Sequence, residues 1–450
     1  MNAAIPMPSA VTPAIAEPPV IPQAAAAPSL LRRIVFAPIK FLVGMVFCES
    51  ALEVLGALGA LAIIGWTYRL MQRAVLKQWW KLSDPARRGG SFAQFVAADS
   101  HTKEHLHWPN WFFAQNFREA IRRSPELSFR KRLRVVLKAL GQSLWSNVRL
   151  GVQGIFNTLV FTLPGCVLML FGWYDGWNNS FNKGYEQFLV GPLVSLLGIA
   201  LFIAAMYYVP MAQARQAATG QWRSFYQFRL VWALIRRRWL ACLGLAMLYS
   251  LCSVPIMVLT SVVMSLPNIN PKLADLTPAE TIKVLNAYYF WSAAFVFPAF
   301  VALRLVAARV YGSAILKAVQ SGAVAQDALA ENEWQALHRL GLLQVRPEPL
   351  RHPVLRVVIW AGTRAGRITC GFLTALVWFV FLAQLYIAHF FNYRGATSWL
   401  NQPLVQLPWF HHLPAALKNP WSDILVAAAI VFITWLLSIL VKWVKALRKS

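Results

Sequence analysis

Between Leu240 and Leu266 the chain runs without one charged side chain. A helix of about 20 residues crosses the hydrocarbon core of a bilayer, so this run is long enough to span it. Inside lipid no water satisfies the peptide groups, so each N–H and C=O must bond within the segment, which makes the run a helix. Comparable segments lie at Ile34 to Trp66, Leu150 to Trp173, Phe188 to Met211, Ala287 to Val306, Ile368 to Phe390 and Ile424 to Trp443. The expected fold is therefore an all-α integral membrane protein of about seven transmembrane helices. Composition agrees, since only 13% of the 450 residues are charged, against about 25% in a soluble domain.

The first segment is longer than one crossing needs. Either its helix is strongly tilted, or the residues up to about Phe47 approach along the interface and the span starts near Ser50. The second arrangement places Lys40 and Glu49 beside a headgroup layer. Ahead of it, residues 1–30 are rich in alanine and proline and read as an extended tail that cannot bury a core. No basic n-region precedes an apolar h-region, so no cleavable signal peptide is expected. The five cysteines fall in or beside apolar segments without a CxxC pair, so no disulfide framework is implied.

Charge sets the expected orientation. With the long connecting segments on the cytoplasmic side, that side carries 35 Lys and Arg against 8 on the other. The positive-inside rule then puts the N-terminus outside and the C-terminus in the cytoplasm of a cell membrane. Arg32, Arg33 and Lys40 oppose translocation of the tail, and a re-entrant first segment would leave the N-terminus inside instead.

A recurring unit divides the chain. Gln221 to Leu240 reads QWRSFYQFRLVWALIRRRWL, directly before an apolar run. At about 100° per residue, Phe225, Phe228, Trp232, Ile235 and Trp239 share a face flanked by Arg229 and Arg236. Rings at headgroup depth and arginine stems along apolar surface are the pattern of an interfacial helix. Leu230 and Leu234 fall on the other side, toward protein. Basic stretches at Phe129 to Ser146 and Val354 to Arg367 precede two further spans. This gives one leading helix (34–66) and three units of elbow helix plus transmembrane hairpin, at 129–211, 221–306 and 354–443. Cytoplasmic segments at 67–128 and 307–353 and a basic tail at 444–450 complete the chain. Pro210 is followed five residues later by Arg215, and Pro298 six later by Arg304.

Gly220, Ser224, Phe225, Phe228, Leu230 and the triplet Arg236 to Arg238 resemble the turn and elbow helix of several bacterial multi-pass families known only as domains of unknown function. The likeness is strongest over Gly191 to Leu259. It implies a bacterial cytoplasmic-membrane protein and transfers no active site. The long cytoplasmic segments and the proline-rich tail depart from the compact members of those families.

Arg229, Arg236, Arg237 and Arg238, with Trp232 and Trp239, are the candidate ligands for anionic headgroups. Nucleic acid would also suit aromatic residues mixed with basic ones, as in Trp79, Trp80 and Trp108 to Arg123. A segment tethered beside lipid meets the anionic leaflet first, so these tryptophans are expected at the membrane surface, with no nucleic-acid partner. Glu49 and Glu53 share a helix face and are candidates for an ion or proton path, with interfacial anchoring as the simpler reading. Arg304 and Arg309, at the inner end of the fifth span, read as snorkelling residues. His101, His105 and His107 could supply a metal pair at i,i+4 or i,i+2, although no distant cluster completes a tetrahedral site and a histidine-rich polar loop is the simpler reading. No Walker loop, GxSxG or zincin sequence is present, so neither an enzyme nor a cofactor is expected. Two functions remain: a non-enzymatic membrane scaffold or assembly factor holding anionic lipid and a protein partner, or a permease or lipid-handling transporter.

Overall fold

The computed structural model describes residues 53–88, 90–97, 128–172, 190–273, 275–344 and 353–391. Glu49, the three histidines and the last apolar segment lie outside the described residues. Among those described there are nine α-helices and no strand. They are α1 (Glu53–Leu82), α2 (Phe92–Ala97), α3 (Phe129–Phe171), α4 (Val190–Thr219) and α5 (Phe228–Arg237). After these come α6 (Trp239–Ile269), α7 (Pro278–Gln320), α8 (Glu331–Arg339) and α9 (Pro353–Phe391). Five stretches are long and apolar enough to cross a membrane: Phe129–Met169, Pro192–Thr219, Trp239–Leu259, Phe295–Gln320 and Val357–Leu385. They contain or overlap the second to sixth apolar segments of the sequence, and the protein is an all-α multi-pass membrane protein.

Glycine sets how closely the helices approach. A Cβ on Gly65 would stand 1.8 Å from the carbonyl oxygen of Asn147, and one on Gly151 2.0 Å from that of Leu61. The backbones of α1 and α3 therefore meet directly, as small residues permit between membrane helices. Gly165 and Gly198 do the same for α3 and α4, each lacking room for a methyl group. The helix α1 also packs along α7, where the Trp79 indole donates to the carbonyl of Gly312 at 2.9 Å. Trp79 is thus buried in the protein core, which corrects its expected place at a membrane surface.

The helix α4 is the centre of the bundle. Its first half exposes Leu193, Leu196 and Leu197, as a lipid-facing helix does. From Tyr208 to Thr219 every residue is buried, including Gln213, Arg215 and Gln216. Helices α6 and α9 pair mainly with one another, and so join the second and third of the expected units.

The three basic stretches differ. Only the middle one forms a helix of its own. Phe129 to Ser146 continues without a break into α3, and Val354 to Arg367 into α9. Both stretches are exposed along most of their length, and no break in either helix separates it from the following span.

Candidate functional site

The middle elbow begins where α4 ends. Gly220 adopts φ +69°, a left-handed turn that glycine makes without steric cost. A 3₁₀ turn at Trp222–Tyr226 follows, then α5. Arg238 has φ −125° and ψ 35°, which breaks the helix before α6 starts at Trp239. The turn is held by aromatic packing. Phe225 is buried against Phe161 and Tyr208, and the Tyr208 hydroxyl donates to the Phe225 carbonyl. The Tyr226 hydroxyl donates to Asn157 Oδ1 at 2.9 Å, and burial raises its pKa above the ordinary tyrosine value.

Helix α5 turns Val231, Leu234 and Ile235 into the protein and leaves Arg229, Trp232, Arg236 and Arg237 exposed. Leu234 was expected on the protein side and is there; Ile235 was expected beside Trp232 and is buried instead. Arg238 is half-buried, with Nε enclosed and without a hydrogen-bond partner among the described residues. Trp239 is half-buried with its ring against Gly366 of α9, and its carbonyl accepts from the Cys370 thiol at 3.7 Å. Of the six proposed headgroup ligands, four therefore stay exposed, Arg238 is half-buried, and Trp239 docks the corner onto α9. Glu53 opens α1, and among the described residues no group of three or more His, Cys, Asp or Glu is placed to hold a metal ion.

Sequence reasoning missed the polar layer behind this corner. Arg215 is fully buried, and its Nη1 donates to Glu333 Oε2 at 2.9 Å and to the Tyr311 hydroxyl at 2.8 Å. Tyr311 in turn donates to Glu333 Oε1 at 2.5 Å. Nη2 of Arg215 reaches the Ala328 carbonyl at 3.3 Å, and Nε donates to Gln227 Oε1, at the start of α5. One guanidinium thus ties α4 to α7, to α8 and to the elbow. Nearby, the Asn332 amide donates to the carbonyls of Ala218 and Thr219, which caps the end of α4. A buried ion pair is held only when further hydrogen bonds satisfy the remaining donors and lone pairs, as they do here.

A second buried arginine lies in the same layer. Arg304 of α7 donates to Gln213 Oε1, and Gln213 Nε2 donates to the Thr158 hydroxyl at 2.7 Å. The guanidinium stands 5.8 Å from the Tyr68 ring centroid and 5.1 Å from that of Phe300. Arg304 is 4% exposed, which corrects the snorkelling reading; Arg309, one and a half turns on, is exposed as expected. The two arginines are the pair marked in the sequence by the preceding Pro210 and Pro298, a spacing that was the one available signal.

Fold and site together define an all-α membrane protein with a basic amphipathic corner laid over a buried polar layer. No family model, no curated protein and no solved structure matches the chain.

Proposed function

We propose that this protein is a non-enzymatic scaffold of a bacterial cytoplasmic membrane that binds anionic phospholipid headgroups at its α5 corner. One observation supports this reading above the rest. Helix α5 is set off from α6 by the break at Arg238, buries one apolar face and keeps Arg229, Arg236, Arg237 and Trp232 open. Exposed arginines next to an interfacial tryptophan suit a phosphate layer, where each basic residue contributes about 1 kcal/mol. The charge count that places this corner in the cytoplasm, where anionic lipid concentrates, is consistent with the same role. Reporter fusions at Ser9 and Ser450 test that orientation: an outside signal from the first and a cytoplasmic one from the second are expected.

Native mass spectrometry of the purified protein tests lipid binding. Wild type should retain anionic phospholipid, and Arg229→Gln with Arg236→Gln and Arg237→Gln should lose most of it. Equal retention by the variant would sink the reading. A permease or lipid-handling transporter is the second reading, supported by the buried layer of Arg304, Gln213 and Thr158 between the helices. In that case Glu49→Gln with Glu53→Gln should abolish a transport phenotype, whereas a scaffold should be unaffected.

A further inference from the structure

Arg69 of α1 is a buried cation with no counter-charge among the described residues. It is 7% exposed, its one hydrogen bond there runs from Nη2 to the Ser146 hydroxyl of α3, and no carboxylate pairs with it. Burial pulls its pKa down to about 10, and no neighbouring charge offsets that. A charge drawn this far out of water is unfavourable until it is paired. A guanidinium carries five N–H donors, and none of the Arg69 nitrogens is sealed in without a partner. The donors that Ser146 does not use therefore open onto the surface of the groove between α1 and α3.

The groove places these donors at headgroup depth. The first apolar segment ends at Trp66 and the second begins at Leu150, and Gly65 lies against the Asn147 carbonyl. The two helices thus leave the hydrocarbon at the same level, with Arg69 about 4.5 Å along the axis beyond Trp66. Trp145, next to Ser146, is exposed, as an interfacial tryptophan is. Arg149 is exposed one turn of α3 from Ser146 and shares its face. The Ser146 hydroxyl accepts from Arg69 and keeps its own proton to donate.

We propose that Arg69, Ser146 and Arg149 form a binding site for one phosphate group at the mouth of the α1–α3 groove, supplied by a phospholipid or by free phosphate. Two guanidiniums and a hydroxyl match the tetrahedral oxygens of phosphate, to which a planar fork of donors binds in pairs. The site differs from the α5 corner, where the basic side chains are exposed and none is drawn into a groove. The inference rests on neither functional reading above.

The full-length protein carrying Arg229→Gln, Arg236→Gln and Arg237→Gln is the parent for the test, so lipid at α5 stays out of the measurement and a failure there leaves this test intact. Native mass spectrometry with added dioleoyl phosphatidylglycerol reads the lipid source. Thermal unfolding in sodium phosphate against sodium chloride at equal ionic strength reads the free-phosphate source. The parent should bind one phosphatidylglycerol or be stabilised by phosphate; either response supports the site and names its source. Adding Arg69→Gln, which keeps a donor for Ser146 and removes the charge, should weaken that binding by about tenfold or more, and adding Arg149→Gln by about fivefold.

A parent that responds to neither probe overturns the proposal. So does an Arg69→Gln variant that binds as the parent does, because the phosphate is then held elsewhere. Should Arg69→Gln not fold, Arg149→Gln and Ser146→Ala decide in its place: weaker binding in either supports the site, and unchanged binding in both overturns it.

Discussion

Arg215 and Arg304 follow a proline at nearly the same distance, end up buried in the same layer, and are compensated differently. Arg215 meets a carboxylate from a helix 118 residues further along the chain. Arg304 meets the amide of Gln213 and the face of Tyr68. The difference shows that burial of the arginine and choice of its partner are separate decisions. The helical register after each proline carries both guanidiniums inward. The partner depends on which distant segment lands opposite, and among the described residues only Arg215 is met by an acid, from the short helix α8.

The comparison can be broken at several points. Glu333→Ala leaves Arg215 buried without its counter-charge, and should destabilise the protein by about 3–5 kcal/mol in detergent unfolding. Glu333→Gln, which keeps the shape and one acceptor, should cost less. If the two variants behaved alike and near wild type, the ion pair would not be what holds α8 to the bundle. Tyr311→Phe removes a bond to each partner of the pair and should cost about 2 kcal/mol, read from the same melting curves. Gln213→Leu tests the other arginine. It takes away the acceptor of Arg304 and the donor to Thr158, with an expected loss of about 1–2 kcal/mol. A loss as large as that from Glu333→Ala would mean the two arginines are equally dependent on one partner.

The smallest effect concerns an acid outside the layer. Thr277 and Glu280 form a capping box at the start of α7, with the Thr277 hydroxyl donating to Glu280 Oε2 at 2.6 Å. That bond, with the one from the Thr277 backbone, holds the Glu280 carboxyl below its ordinary value. Because the folded value is depressed, the cap's contribution is present above the unfolded carboxylate value and lost as pH falls through the folded one. Thr277→Ala removes the hydroxyl bond and keeps the backbone one, so it should raise the Glu280 titration toward the ordinary carboxylate range, followed by NMR of the labelled carboxyl.

A second contrast concerns the elbows. All three basic stretches carry the same kind of sequence, yet only Gln221 to Leu240 forms a separate helix. Its turn is held by partners on α3 and α4: Phe161, Asn157 and Arg215, reaching Phe225, Tyr226 and Gln227 respectively. The stretches at Phe129 and Val354 have no comparable turn among the described residues and extend their spans. Replacing Arg236, Arg237 and Arg238 with glutamate should disturb insertion before any other property, as glycosylation or reporter mapping would show.

The amino-acid sequence by itself determined the membrane class, the segments that α3, α4, α6, α7 and α9 contain or overlap, and the amphipathic character of α5. Each of these follows from runs of apolar residues or from helical periodicity, which are local and need no partner to be read. The prolines ahead of Arg215 and Arg304 marked two positions but not their fate. Only the tertiary structure decided that α4 is sunk into the bundle over its second half, that Trp79 belongs to a core rather than an interface, and that Glu333 crosses to Arg215. Those outcomes depend on pairings such as Gln213 with Thr158, Glu333 with Arg215 and Trp79 with Gly312, which are 55, 118 and 233 residues apart. A buried charge or hydroxyl is tolerated only where such a partner arrives, and the arrival is a property of the packed helices rather than of any one of them.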